Sequence, residues 1–321
     1  MKSFLKPMGV RDTLDCTFSI LRERFWTFQG VIFYSFLPAL VFFLIALVFV
    51  AVIVINTFFS TMPLNWTDSR FWSEVGQNIG IPGVILLVFL GILWFLSTMV
   101  GGFFFMHGSI NVFIHGMHGW KITWRESFKG LKKKWLWYFV YFILSYIASM
   151  IISLPNMVFS FVAIFAKSIV IQIVSQIVTT ILQIILRFLI CLTPIVIAAE
   201  DIDAIKAFVR AFNLPAGYRW RMLGKLILVY LMVYALILVM FGIIAIPIVI
   251  AVTIPHLITL IIAVLIGLCS LLIISVFMPF LYGPLVAIYY DLIIRKEGYD
   301  LALQLNQNPN NPDTNLINRS I

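Results

Sequence analysis

The chain has 321 residues, of which 62% are hydrophobic and only 11% charged, and it carries a formal net charge of +9. A soluble domain is nearer half apolar and a quarter charged, so a soluble globular fold is excluded. Mean hydropathy is +1.07. Apolar runs at about 31–58, 81–106, 135–165, 168–199, 226–252 and 257–290 each exceed the roughly 18–20 residues that cross a bilayer core. The chain reads as a polytopic integral membrane protein.

The positive charge is segregated along the chain. All 22 lysines and arginines except Arg70, Lys167 and Arg187 fall in the N-terminal arm, in the stretches 121–134 and 206–225, or at Arg295 and beyond. Alternate loops therefore hold the charge, which predicts six spans with those loops and both termini cytoplasmic. The expected partner is a bilayer with anionic headgroups, which attracts each basic residue by roughly 1 kcal/mol near the surface. A protein partner at the cytoplasmic face is a second expectation, and nucleic acid is not expected. Arg11, Asp12, Asp15, Arg22, Glu23 and Arg24 precede the first apolar run. That is too charged for a cleaved signal, so the first helix is expected to be a retained anchor. Cys16, Cys191 and Cys269 have neither zinc nor disulfide spacing and read as small apolar residues.

In chain order, Val10, Leu14, Phe18, Leu21 and Phe25 recur at helical spacing, with Arg11, Asp15, Arg22 and Glu23 on the other side. This predicts an amphipathic helix within about Met8–Phe28. A second unit opens at Thr123 and Glu126 with a capping-box pattern. There Trp124, Phe128, Leu131 and Trp135 oppose Arg125, Lys129, Lys132 and Lys133. In a third, Ile205, Phe208, Val209 and Phe212 face away from Lys206 and Arg210, and Pro215 and Gly217 break the helix before Arg219, Trp220 and Arg221. Each unit suits a helix in the headgroup plane, with apolar residues buried and basic ones at phosphates. Packing of the same stripes on the membrane bundle remains open, and the two can coexist.

Each unit leads into a hairpin. The arms are about 31–58 and 81–115, 135–165 and 168–199, then 222–252 and 257–293. The outer connections are Ser60–Gly80 with Trp66 and Asp68, the turn at Lys167, and Thr253–His256. Pro155 is expected to kink its helix, and Pro279, Gly283 and Pro284 to bend the last one. The expected fold is thus all-α: a bundle of six transmembrane helices in three repeats, about 8–115, 120–199 and 201–293. These form a single domain over 1–305. The asparagine-rich stretch 306–321 reads as a disordered cytoplasmic tail.

The sharpest candidate site lies on the fourth span. Gln172, Gln176, Thr179, Gln183 and Arg187 fall within about 80° of one another on a helix of 100° per residue. An arginine there costs at least a few kcal/mol against lipid, so it should face the bundle or water. Two readings stay open: the wall of a polar path for an anionic headgroup or solute, or a hydrogen-bonded seam between helices. Lys132, Lys133, Lys134, Arg219 and Arg221 are candidate cytoplasmic-interface residues. Asp291 and Arg295, at i and i+4, form either an interfacial charge pair or a docking site for the amphipathic units. His107, Asn111, His115 and His118 make another stripe on the second span. His115 and His118 could share a metal, but no acid or cysteine is interleaved, so no metal or cofactor is expected.

Three stretches carry a resemblance: PMGVRDTLDCTFSILRERFWTF at the start, AEDIDAIKAFVRAFNLPAGYRWRMLG in the fourth loop, and AIYYDLIIRKEGYDL near the end. Gly9, Leu14, Asp15, Thr17 and Phe18 fit an opening pattern. Tyr289, Tyr290, Asp291, Leu292, Arg295, Lys296, Glu297, Gly298 and Asp300 fit a closing one, with Ile293 in place of the usual arginine. The chain resembles the bacterial glycerophosphoryl diester phosphodiesterase membrane-domain family. The resemblance implies a multi-pass protein of the bacterial cytoplasmic membrane. The His-Arg pair of the family's catalytic domain does not occur in the chain, so the phosphodiesterase activity does not transfer. No enzymatic activity is expected. The expected function is to organise or passively move a lipid-like or anionic substrate; the alternative is a membrane anchor or accessory subunit of a complex encoded elsewhere.

Overall fold

A computed structural model describes residues 7–60, 69–165, 168–253 and 278–298. Trp66, Asp68, Lys167, Cys269, Asp300, the turn at 254–256, most of the sixth expected span and the tail 306–321 lie outside the described residues. Among the described residues the chain is all-helical. The helices are α1 Val10–Glu23, α2 Phe25–Ser60, α3 Ser69–Met117, α4 Leu131–Phe165, α5 Ile169–Ile190, α6 Thr193–Glu200, α7 Ala204–Asn213, α8 Arg219–Thr253 and α9 Gly283–Glu297. Among the described residues four stretches are long and apolar enough to cross a membrane: Phe25–Ile53, Gln77–Met117, Leu131–Val162 and Ile169–Glu200.

The described residues divide into two compact units. One contains residues 7–28, 106–236 and 278–298; the other contains the described parts of 29–105 and 237–276. In the second unit, α2 and α3 approach most closely at Gly101, where a Cβ would lie 2.5 Å from the Ser35 carbonyl oxygen. The rings of Phe36 and Phe105 meet there at a tilt of 41°, with centroids 5.9 Å apart. Gly80, at φ 59° and ψ 177°, interrupts α3.

The first unit holds the buried core. Helix α6 is buried from Thr193 to Ala198, and α9 from Gly283 to Ile294. A helix that is apolar all round has to be enclosed by others. Here α9 packs on α1 and α6. Around Pro279 and Gly283 the chain forms a 3-10 turn over Met278–Leu281, after which α9 begins with Pro284 in its first turn. Helix α4, by contrast, runs through Pro155.

The amphipathic units differ from the expectation in an instructive way. Helix α1 buries Thr13, Cys16, Thr17 and Ile20, while Val10 and Phe18 stay exposed. Helix α7 buries Ala204, Ala207 and Ala211, while Ile205, Val209 and Phe212 stay exposed. Small side chains allow close approach to the bundle, so they make the protein contact. The larger apolar residues, offset by a fraction of a turn, face outward. The second unit is not a helix over Thr123–Trp135. Only a 3-10 turn, Glu126–Phe128, forms before Gly130 turns left-handed at φ 83° and α4 begins. The reason lies on α3. Asn111 Nδ2 donates to the Ser127 carbonyl at 2.8 Å, and His107 Nε2 lies 3.2 Å from the Lys129 carbonyl. Those carbonyls are thereby withdrawn from a helical ladder. The capping box still forms: Thr123 N–H donates to Glu126 at 2.8 Å, and this bond holds the Glu126 carboxyl below its usual range.

Gly283 is where α9 meets α1 and α3 most tightly. A Cβ there would overlap the Thr17 methyl and lie 2.7 Å from the Phe113 ring. Gly283→Ala should therefore destabilise the protein by about 1–3 kcal/mol through overpacking. Gly102→Ala, with open space around it, should not. Thermal melting of the two purified variants by loss of the monodisperse peak checks this.

Candidate functional site

The polar stripe of α5 is divided by its neighbour α4. Gln183 Nε2 donates to Ser153 Oγ at 2.9 Å, and Asn156 Nδ2 donates to Gln176 Oε1 at 3.2 Å. Thr179 is buried between them. Gln172 accepts a bond on its backbone carbonyl from Ser175 Oγ, and its side chain is exposed. From Gln176 to Gln183 the stripe is therefore a seam between two helices. At Arg187 it opens.

Arg187 lines a cavity of about 370 Å³ together with Tyr141, Ser145, Tyr230 and Tyr282. The walls come from α3, α4, α5, α6, α8 and the start of α9. Among the described residues, no carboxylate and no hydrogen-bond partner reaches the Arg187 guanidinium. Cations in apolar spans are ordinarily paired, so this one is available to an anion.

The remaining polar groups of the same unit converge on α9. Asp291 is nearly inaccessible. Its Oδ2 accepts from Lys225 Nζ at 2.6 Å, and its Oδ1 accepts from Arg295 Nε at 2.8 Å and from the Met8 backbone N–H at 2.7 Å. The Met8 carbonyl in turn accepts from Lys225 at 2.9 Å and Arg221 at 3.3 Å. The expected Asp291–Arg295 pair is thus one edge of a node that also fastens the entry of α1 to α8. Nearby, Arg210 bridges Glu200 at 3.0 Å and Glu297 at 2.7 Å. Burial opposes the Arg210 charge, but the two carboxylates outweigh it and hold its pKa above the usual value. Tyr289 donates to Glu200 at 2.9 Å.

The lysines of the second unit have separate destinations. Lys132 and Lys133 are exposed. Lys134 is buried, donating to the Ala198 carbonyl at 2.9 Å and pairing with Asp201 at 3.2 Å. Lys133 pairs with the other Asp201 oxygen at 3.0 Å. Two cations at the C-terminus of α6 complement its dipole. Asp201 itself sits in the left-handed region at φ 52°, a conformation that aspartate tolerates better than most residues. Partial burial pushes the Asp201 carboxyl up, and the two lysines more than reverse this. Lys134 therefore caps the C-terminus of α6. Arg219 is exposed and lies over the Phe212 ring at 5.4 Å.

The histidine stripe is internal. His107 Nδ1 lies 2.9 Å from the Tyr138 hydroxyl, and Nε2 lies 2.9 Å from Asn111 Nδ2. His118 meets the Tyr290 hydroxyl at 3.1 Å and stacks on Trp120 at 4.8 Å. Among the described residues no group of three or more His, Cys, Asp or Glu could hold a metal ion. Burial, with a contribution from His115, pulls His118 down to about 4.

Comparison of the chain with protein families, with curated proteins and with solved structures finds no match. The fold defines a class: a helical, membrane-embedded protein with a buried ionic node and an arginine of an apolar helix on a cavity. Lys225, Glu200 and the four tyrosines of the cavity, Tyr141, Tyr146, Tyr230 and Tyr282, escaped sequence reasoning. Lys225 did leave a signal, since a lysine entering an apolar helix needs a partner.

Removing one member of the buried pair should cost more than removing both. Lys225→Met or Asp291→Leu alone should lose about 3–5 kcal/mol, and the double variant should recover part of that loss; melting temperatures across the cycle check it. His118 provides a second test. Its folded pKa of about 4 lies below the ordinary value of about 6.5. The stability it contributes is complete above pH 6.5 and is lost as the pH falls toward 4. The melting temperature of His118→Phe should fall less over that interval than that of the native chain.

Proposed function

We propose that this chain is a non-enzymatic, six-span protein of the bacterial cytoplasmic membrane with both termini cytoplasmic. It organises or passively moves an anionic, lipid-like substrate along the polar face of α5. The observation that supports this is Arg187: a cation within an apolar helix, on a cavity wall, with no acid partner among the described residues. The hydrogen-bonded seam from Gln176 to Gln183 restricts the working part of that face to its Arg187 end. The exposed basic and aromatic residues Lys132, Trp135, Arg219 and Trp220 suit a layer of anionic headgroups.

The second reading is an anchor or accessory subunit, in which those exposed basic residues would meet a protein. Mass spectrometry of what co-purifies with the native chain in mild detergent decides between them. The expected result is an enriched anionic amphiphile that is lost in Arg187→Ala while Gln176→Leu retains it. A stoichiometric protein partner with no enriched anion would favour the accessory subunit.

A further inference from the structure

The Arg187 cavity has one cation and no acid among the described residues that line it. A ligand carrying an ammonium group would leave that charge without a counter-ion in an apolar setting, which is costly. The site therefore favours a net anionic group over a zwitterion. The guanidinium is joined by phenols. Tyr141, Tyr230 and Tyr282 line the same cavity as Arg187, so these polar groups converge on one space. Guanidinium and phenol O–H are all donors, the complement of a phosphate oxygen.

The mouth of the cavity fixes the direction of entry. Arg187, Tyr146 and Tyr230 at its rim are exposed. The surface around them consists of exposed apolar side chains of the same unit, including Ile147, Ile184 and Leu231. On a helix that crosses the bilayer, such a surface faces acyl chains. A molecule that reaches Arg187 this way has to be apolar everywhere but at its head. At about 370 Å³ the cavity is at the small end of ligand sites. It accommodates a headgroup and leaves the chains outside.

Resting on the function proposed above, we infer that this cavity takes the phosphate of an anionic phospholipid entering sideways from the bilayer, held by Arg187 and Tyr230. Free phosphate, which shares the chemistry, has no aqueous route through that rim.

The test uses the full chain in detergent micelles with equal amounts of dioleoyl phosphatidylglycerol and dioleoyl phosphatidylcholine. Native mass spectrometry reads how much of each stays bound. The expected preference for phosphatidylglycerol is about tenfold, the equivalent of one charge-assisted contact of about 1.4 kcal/mol. Arg187→Gln should abolish it, Arg187→Lys should keep part of it, and Tyr230→Phe should lower it several-fold. Millimolar inorganic phosphate should leave it unchanged. Arg187→Lys, with an unaltered melting temperature, separates loss of binding from loss of fold. A preference that persists in Arg187→Gln arises from the exposed basic residues and overturns both this inference and the proposed site. Displacement of the lipid by inorganic phosphate overturns lateral lipid entry while leaving the anion-handling function standing. Unchanged binding in Tyr230→Phe overturns the assignment of that phenol.

Discussion

A carboxylate with 3% of its side-chain surface accessible has to be fully satisfied or it unfolds its surroundings. Asp291 meets that condition by drawing together three parts of the sequence that are far apart. The ammonium of Lys225 comes from α8, the guanidinium of Arg295 from one turn further along α9, and the backbone N–H of Met8 from the entry to α1. Each donor has few alternatives once desolvated. The arrangement is specific because a neutral or displaced partner would leave the others unsatisfied. The tight packing at Gly283 and the burial of Thr13, Cys16 and Thr17 against α9 follow from the same anchoring, since α1 approaches only as closely as its small residues permit.

The basic residues therefore divide into two populations that sequence does not distinguish. Lys134, Arg210 and Lys225 are internal: they cap α6, bridge Glu200 to Glu297, and neutralise Asp291. Lys132, Arg219 and Arg221 remain accessible, as do Trp135 and Trp220. A loop-charge count treats the two populations alike. The local field felt by a membrane surface depends on the second alone. A similar division applies to the apolar residues of α7, where Ala204, Ala207 and Ala211 are buried while Ile205, Val209 and Phe212 are exposed.

Much of the helical content was legible because apolar runs in this chain are long and the bilayer length scale is strict. The helix end near Pro215–Gly217 and the start of α9 at Gly283–Pro284 followed from backbone chemistry that proline and glycine impose. The second amphipathic unit was not legible. Its periodicity is genuine, yet Asn111 and His107 on a different helix bind its carbonyls, and Gly130 ends the turn. The stripe from Gln172 to Arg187 could be placed on one face, but the sequence could not show that Ser153 and Asn156 of α4 close most of it. The tyrosines that surround Arg187 come from three separate segments with no shared spacing. Only the folded chain brings them together.

The bond from Met8 to Asp291 links positions 283 residues apart. During synthesis the entry to α1 leaves the ribosome long before its carboxylate partner exists. Until α9 is made, the buried face of α1 lacks Gly283 and its entry lacks Asp291. The entry to α1 is thus fastened only after α9 has been made.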